Sequence, residues 1–223
     1  MTKNALTRAA AASAIAAGLM FVLIQFVHPD ETVANVTTST WKIVHALYLL
    51  TTILGLIGII GIYLRQIREM RKLGLVGTIL FGGGFLIIYA FIFIELTVLP
   101  ELADTEPQYV KNVMTAVAEG KANDIGGLFV ANAATAFTYV LGGILFGLAV
   151  FRARVLARWA SALLVIGGLA TILIPFLPSS LHPLVAVPTG VGLAGLGLSL
   201  WQTPSSTGES LPTTRIARSS AQA

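Results

Sequence analysis

Apolar residues in this chain come in runs of about twenty, and the segments between them collect prolines, acids or bases. A bilayer core of roughly 30 Å needs about 20 helical residues to cross it. Six runs meet that length, at about 8–27, 41–64, 73–99, 126–151, 158–177 and 184–201. The pattern predicts an all-α protein: a six-transmembrane-helix bundle over residues 1–201, then a disordered cytoplasmic tail over 202–223. Pro175, Pro178, Pro183 and Pro188 crowd the junction of the last two runs. Each removes a backbone donor, so both runs are expected to shorten or kink there. The first run, which ends in Gln25-Phe-Val-His-Pro29, exceeds the about 7–15 apolar residues of a signal peptide and reads as a retained span.

Composition sharpens this reading. Hydrophobic residues make up 56% of the chain and charged ones 11%, and the mean hydropathy is +0.85. A soluble protein needs more charge to keep its surface wet, so the lipid bilayer is the first partner implied. The basic balance does not point to nucleic acid, because the cations sit in short loops without interleaved aromatics. There is no cysteine, which excludes disulfides and thiolate metal sites.

The charges also orient the chain. Lys3, Arg8, Arg65, Arg68, Arg71, Lys72, Arg152, Arg154, Arg158, Arg215 and Arg218 fall on one side of a six-span arrangement, and only Lys42, Lys111 and Lys121 on the other. Asp30, Glu31, Glu101, Asp104, Glu106, Glu119 and Asp124 share that second side. Positive loops stay in the cytoplasm, so both termini are expected inside, in a plasma membrane.

Between the third and fourth runs, Thr105-Glu-Pro-Gln108 reads as a helix start, with Thr105 as cap. Val110, Val113, Met114 and Val117 follow at helical spacing, and Gly120 ends the run. This predicts a short amphipathic helix on the outer face, apolar side down. A weak repeat carries Leu54-Gly55, Arg65 and Arg71 onto Leu141-Gly142, Arg152 and Arg158 at a constant offset, as two hairpins around basic turns would. Gly55, Gly58, Gly61, Gly77, Gly82, Gly83, Gly84, Gly190, Gly192, Gly195 and Gly197 supply small faces for close helix contact, within the chain, in a homo-oligomer or against a membrane partner.

Polar side chains inside lipid are costly and face a bundle interior. His45, Tyr48 and Thr52 share one stripe of the second run, and Asn132, Thr135 and Tyr139 repeat its spacing in the fourth. Gln25 and His28 share a face of the first run, and Glu95 lies a turn before Pro100. All fall in the outer half, which predicts a polar pocket walled by the first four runs. His45 and Glu95 are its centre, suited to a cation, protons or a headgroup; the alternative is that both sit wetted and structural at headgroup level. His28 and His182, in or beside outer loops, are read as solvated, and Trp41 as an interfacial anchor. No HxxxH or HExxH spacing is present, so no metal and no cofactor is expected.

Val27-His-Pro29, Trp41 with His45, Gly61-Ile-Tyr63 before Arg65-Gln66, Glu95 through Leu99-Pro100, and Arg158-Trp159 resemble an uncharacterised bacterial, actinobacterial-type family of multi-pass integral membrane proteins. The resemblance covers most of residues 20–175. It implies a plasma-membrane helical bundle and no particular reaction, substrate or catalytic residue, while His45 and Glu95 lie among its matching positions. Three functions stay open: binding, sensing or transport of a small molecule, ion or lipid headgroup; a metal-assisted hydrolase using His45 and Glu95; and a structural subunit of a membrane complex.

Overall fold

The computed structural model describes residues 3–119 and 124–203, and these are mostly helical, with no strand among them. In chain order the helices are α1 (Lys3–Val27), α2 (Ser39–Arg65), α3 (Ile67–Thr97), α4 (Leu99–Leu102), α5 (Pro107–Glu119), α6 (Gly127–Ala153), α7 (Arg158–Ile172) and α8 (His182–Gln202). Short 3-10 turns at Ile174–Phe176 and Ser179–Leu181 join α7 to α8. Among the described residues five helices, α1, α2, α3, α6 and α8, are long and apolar enough to cross a membrane.

The sixth expected span is the exception. Helix α7 has 15 residues, which at the helical rise reach only about 22 Å. Pro175 cannot donate a backbone hydrogen bond, and the chain leaves the α path just before it, at Leu173. Pro183 falls in the first turn of α8, where a missing donor costs nothing, while Pro188 lies inside that helix. At the other boundary α8 runs to Gln202, one residue into the segment expected to be a disordered tail; residues 204–223 lie outside the described residues, as do Gly120 and Lys121.

Local chemistry explains the remaining boundaries. Thr38 caps α2, its hydroxyl oxygen accepting from the Trp41 amide at 3.2 Å. Only Gln66 separates α2 from α3, so the basic turn is helical rather than a loop, and its path breaks at Arg71 (φ 52°, ψ −149°). That is a conformation L-residues rarely adopt. Helix α5 buries Val110, Val113 and Met114 as their spacing predicts, with Ala116 added, while Val117 is only half-buried.

The long helices and α7 close a ring: α1 packs on α2 and α8, α2 on α3, α3 on α6, α6 on α7 and α7 on α8. Glycines set the closest approaches. A Cβ on Gly142 would collide with the backbone of Phe81, one on Gly77 with Phe146, one on Gly61 with Ala10, and one on Gly18 with Gly190. The glycines offered by the sequence to a partner are therefore largely used inside the chain. Phe81 meets Phe85 edge to face in the core, and Tyr139 and Phe146 pack on these rings at tilted angles. Around the outside, large apolar side chains stay exposed on every long helix, among them Leu23, Ile43, Ile79, Val130 and Leu198. Water would penalise so continuous an apolar belt, whereas lipid contact requires one.

Candidate functional site

Two histidines and two carboxylates come together at the end where α1 leads into α2 and α3 leads into α4. Three segments build the cluster. The turn after α1 supplies His28 and Glu31, the first turns of α2 supply Trp41 and His45, and the last turns of α3 supply Glu95. His45 and Glu95 are buried, at 0% and 2% side-chain exposure, and face each other with Nε2 to Oε2 at 3.3 Å. Headgroup-level wetting of this pair does not fit that burial.

Trp41 organises the pair. Its indole is fully buried rather than an interfacial anchor, and it stacks on His45 at 3.9 Å between ring centroids. Its Nε1–H donates to the backbone carbonyl of Glu95 at 2.9 Å, one of the carbonyls left without a partner at the end of α3. One residue thus pins the carboxylate-bearing turn of α3 and lies flat against the imidazole of α2. The Nδ1 of His45 meets the Trp41 carbonyl at 2.9 Å. A carbonyl only accepts, so Nδ1 carries hydrogen and the neutral ring turns its Nε2 lone pair toward Glu95.

His28 is not an ordinary solvated loop histidine. Its ring lies 5.0 Å from that of His45 and 5.9 Å from Trp41. Its Nδ1 meets the Pro29 carbonyl at 2.9 Å and lies 3.8 Å from Glu31. Burial first, then the neighbouring His45, lowers the pKa of His28. Burial first, then the charge of Glu95, raises that of Glu31. Three acceptor-capable atoms, Glu31 Oε2, His45 Nε2 and Glu95 Oε1, are buried without a hydrogen-bond partner. Among the described residues neither carboxylate has a Lys or Arg in salt-bridge range. Gln66 also carries unpartnered amide atoms, but it lies at the opposite end, between α2 and α3.

The other expected site residues divide. Gln25 reaches the Tyr48 hydroxyl at 3.5 Å, a weak bond, and Tyr48 lies within electrostatic reach of Glu95 and Tyr139. Tyr139 sits deeper, within interaction reach of Thr189 and packed on Phe81 and Phe85. Thr52 and Thr135 bond carbonyls of their own helices, Leu49 and Ala131, at 2.7 and 2.9 Å. Asn132 donates to the Ala116 carbonyl at 2.7 Å, tying α6 to the end of α5. The second stripe therefore anchors α5 and feeds the aromatic core rather than joining His45. His182 lies close to the Leu177 carbonyl, at 3.2 Å. Helix α5 meets the cluster through Trp41, which shares an apolar cluster with Val36, Leu99, Val110, Val113 and Met114.

Sequence reasoning missed Glu31 and the structural part of Trp41. Glu31 sits three residues after His28 and Trp41 four before His45, spacings that were there to be read. Among the described residues no group of three or more His, Asp or Glu side chains is arranged to hold a metal ion. Comparison with protein-family models, with curated proteins and with solved structures finds no match. The resemblance to bacterial multi-pass proteins accordingly rests on its short motifs alone.

Proposed function

We propose that this chain is an integral plasma-membrane protein, with both termini in the cytoplasm, that binds a small ligand in the cluster of His28, Glu31, His45 and Glu95 at its outer end. The observation that carries this reading is the set of unpartnered acceptors. Glu31 Oε2, His45 Nε2 and Glu95 Oε1 are buried together in one cluster, and an unmet buried acceptor costs about 1–3 kcal/mol. A fold that keeps three of them in one place has a use for a positive or hydrogen-donating species there. The basic turns at the opposite end of the bundle support the orientation.

Binding or sensing is favoured over transport. Polar groups continue inward through Tyr48 and Gln25 to Tyr139 and Thr189. Beyond them Phe81, Phe146, Ile59 and Ile62 are buried in a continuous apolar core. A site reached from one side, above a dry plug, suits a receptor for something outside. The test is thermal stability of detergent-purified protein against alkali and divalent cations, protons, small amines and phospholipid headgroups. Stabilisation by one of these that is lost in both Glu95→Gln and His45→Ala supports the reading. Equal stabilisation of wild type and both variants overturns it.

A further inference from the structure

We propose that the ligand of this cluster is a proton, held between His45 Nε2 and Glu95 Oε2 and exchanged with water on the side where His28 and Glu31 lie. This rests on the binding reading above and names its ligand. The argument is one of valence. Nδ1 of His45 spends its hydrogen on the Trp41 carbonyl at 2.9 Å, so a neutral His45 presents only a lone pair at Nε2. The atom it faces, Glu95 Oε2 at 3.3 Å, offers only lone pairs when ionised. Two acceptors brought face to face in a dry interior repel each other, and one hydrogen between them turns that repulsion into a charge-assisted bond. Wherever the hydrogen resides, as imidazolium with carboxylate or imidazole with carboxylic acid, the pair gains one proton and one unit of charge.

Other cations fit less well. A metal or alkali ion needs several oxygens around it. The two backbone carbonyls bound by the site's own side chains, Trp41 and Glu95, already accept from His45 Nδ1 and Trp41 Nε1. An organic ammonium needs volume, and His45 and Glu95 are 0% and 2% exposed with their facing atoms 3.3 Å apart. A proton needs neither oxygens nor space. Its route to water is short, because His28 stands 5.0 Å from His45 between rings and is itself 19% exposed, as Glu31 is 26%. The titratable groups in electrostatic reach of the pair are His28 and Glu31 from the turn after α1 and Tyr48 from α2, with Tyr139 of α6 in reach of Tyr48.

Infrared difference spectra of the full chain in detergent, recorded across pH at several sodium and amine concentrations, test this. A buried carboxyl group that titrates, is lost in Glu95→Gln and is kept in Glu31→Gln is expected. His45→Gln should move its midpoint by at least about tenfold in proton concentration, because the partner that shares the proton is gone. That second variant keeps the test alive should Glu95→Gln not fold. An unmoved midpoint, or a band that survives in Glu95→Gln, overturns the proposal. A midpoint that shifts with sodium or amine concentration also overturns it, while leaving the binding reading intact. If no proton, cation, amine or headgroup acts through His45 and Glu95, both readings fall.

Discussion

At residue scale, Trp41 carries more than its hydropathy suggests. Replacing it by phenylalanine keeps the ring against His45 but removes the Nε1–H that meets the Glu95 carbonyl at 2.9 Å. The lost bond leaves a buried acceptor unmet, so Trp41→Phe should cost about 1–3 kcal/mol, read as a lowered unfolding midpoint in detergent. The two loop groups should give opposite pH dependences. Glu31 is raised to about 8, by burial and then by Glu95, so the folded state holds its proton more tightly than the unfolded chain does. That contribution is fully present below the ordinary carboxylate pKa and is lost as pH rises toward about 8. His28 is lowered, so the unfolded chain takes its proton first, and stability falls as pH drops below the ordinary histidine value. Stability profiles should separate the two: Glu31→Gln flattens the alkaline loss and His28→Gln the acid loss. Profiles unchanged in both variants would show that neither group is buried as described. The sequence made His45 and Glu95 legible because an ionisable residue stands out in an apolar run. It hid Glu31, since an acid in a polar loop looks solvated until the loop folds back over the helix ends.

At the scale of elements, hydropathy gave the long helices because a buried or lipid-facing helix must satisfy its own backbone wherever water is absent. It overestimated α7, where composition stayed apolar through 177 but Pro175 ended the hydrogen-bond ladder. What periodicity could not give is which helix meets which. The glycines decide that by distance of approach, and two of them make a matched test. A Cβ at Gly142 would run into the backbone of Phe81, whereas one at Gly83 meets nothing within 4 Å. Gly142→Ala should therefore destabilise by about 1–3 kcal/mol through forced separation of α3 and α6. Gly83→Ala should be neutral or mildly stabilising, since alanine is the better helix former. Equal unfolding midpoints for the two variants would contradict the packing. The same comparison bears on a partner docking through glycine faces, because most of those faces already hold a neighbouring helix.

At the scale of the whole molecule, charge and chemistry are separated end to end, and the functional reading depends on which end faces out. Glu69 and Arg152 are exposed near the basic turns, while Thr105 is exposed beside α5 at the cluster end. The chain has no cysteine, so single substitutions at these positions report without background. In intact cells, a membrane-impermeant thiol reagent should label Thr105→Cys and spare Glu69→Cys and Arg152→Cys, which become reactive once the membrane is opened. Labelling of Glu69→Cys and Arg152→Cys on different sides would break the ring, because α2 to α3 and α6 to α7 must turn at the same surface for α3 to pack along α6. Labelling of both from outside would keep the ring and invert it. The His45–Glu95 pair would then meet cytoplasmic rather than external water, and the proton it holds would report the pH of the cell interior.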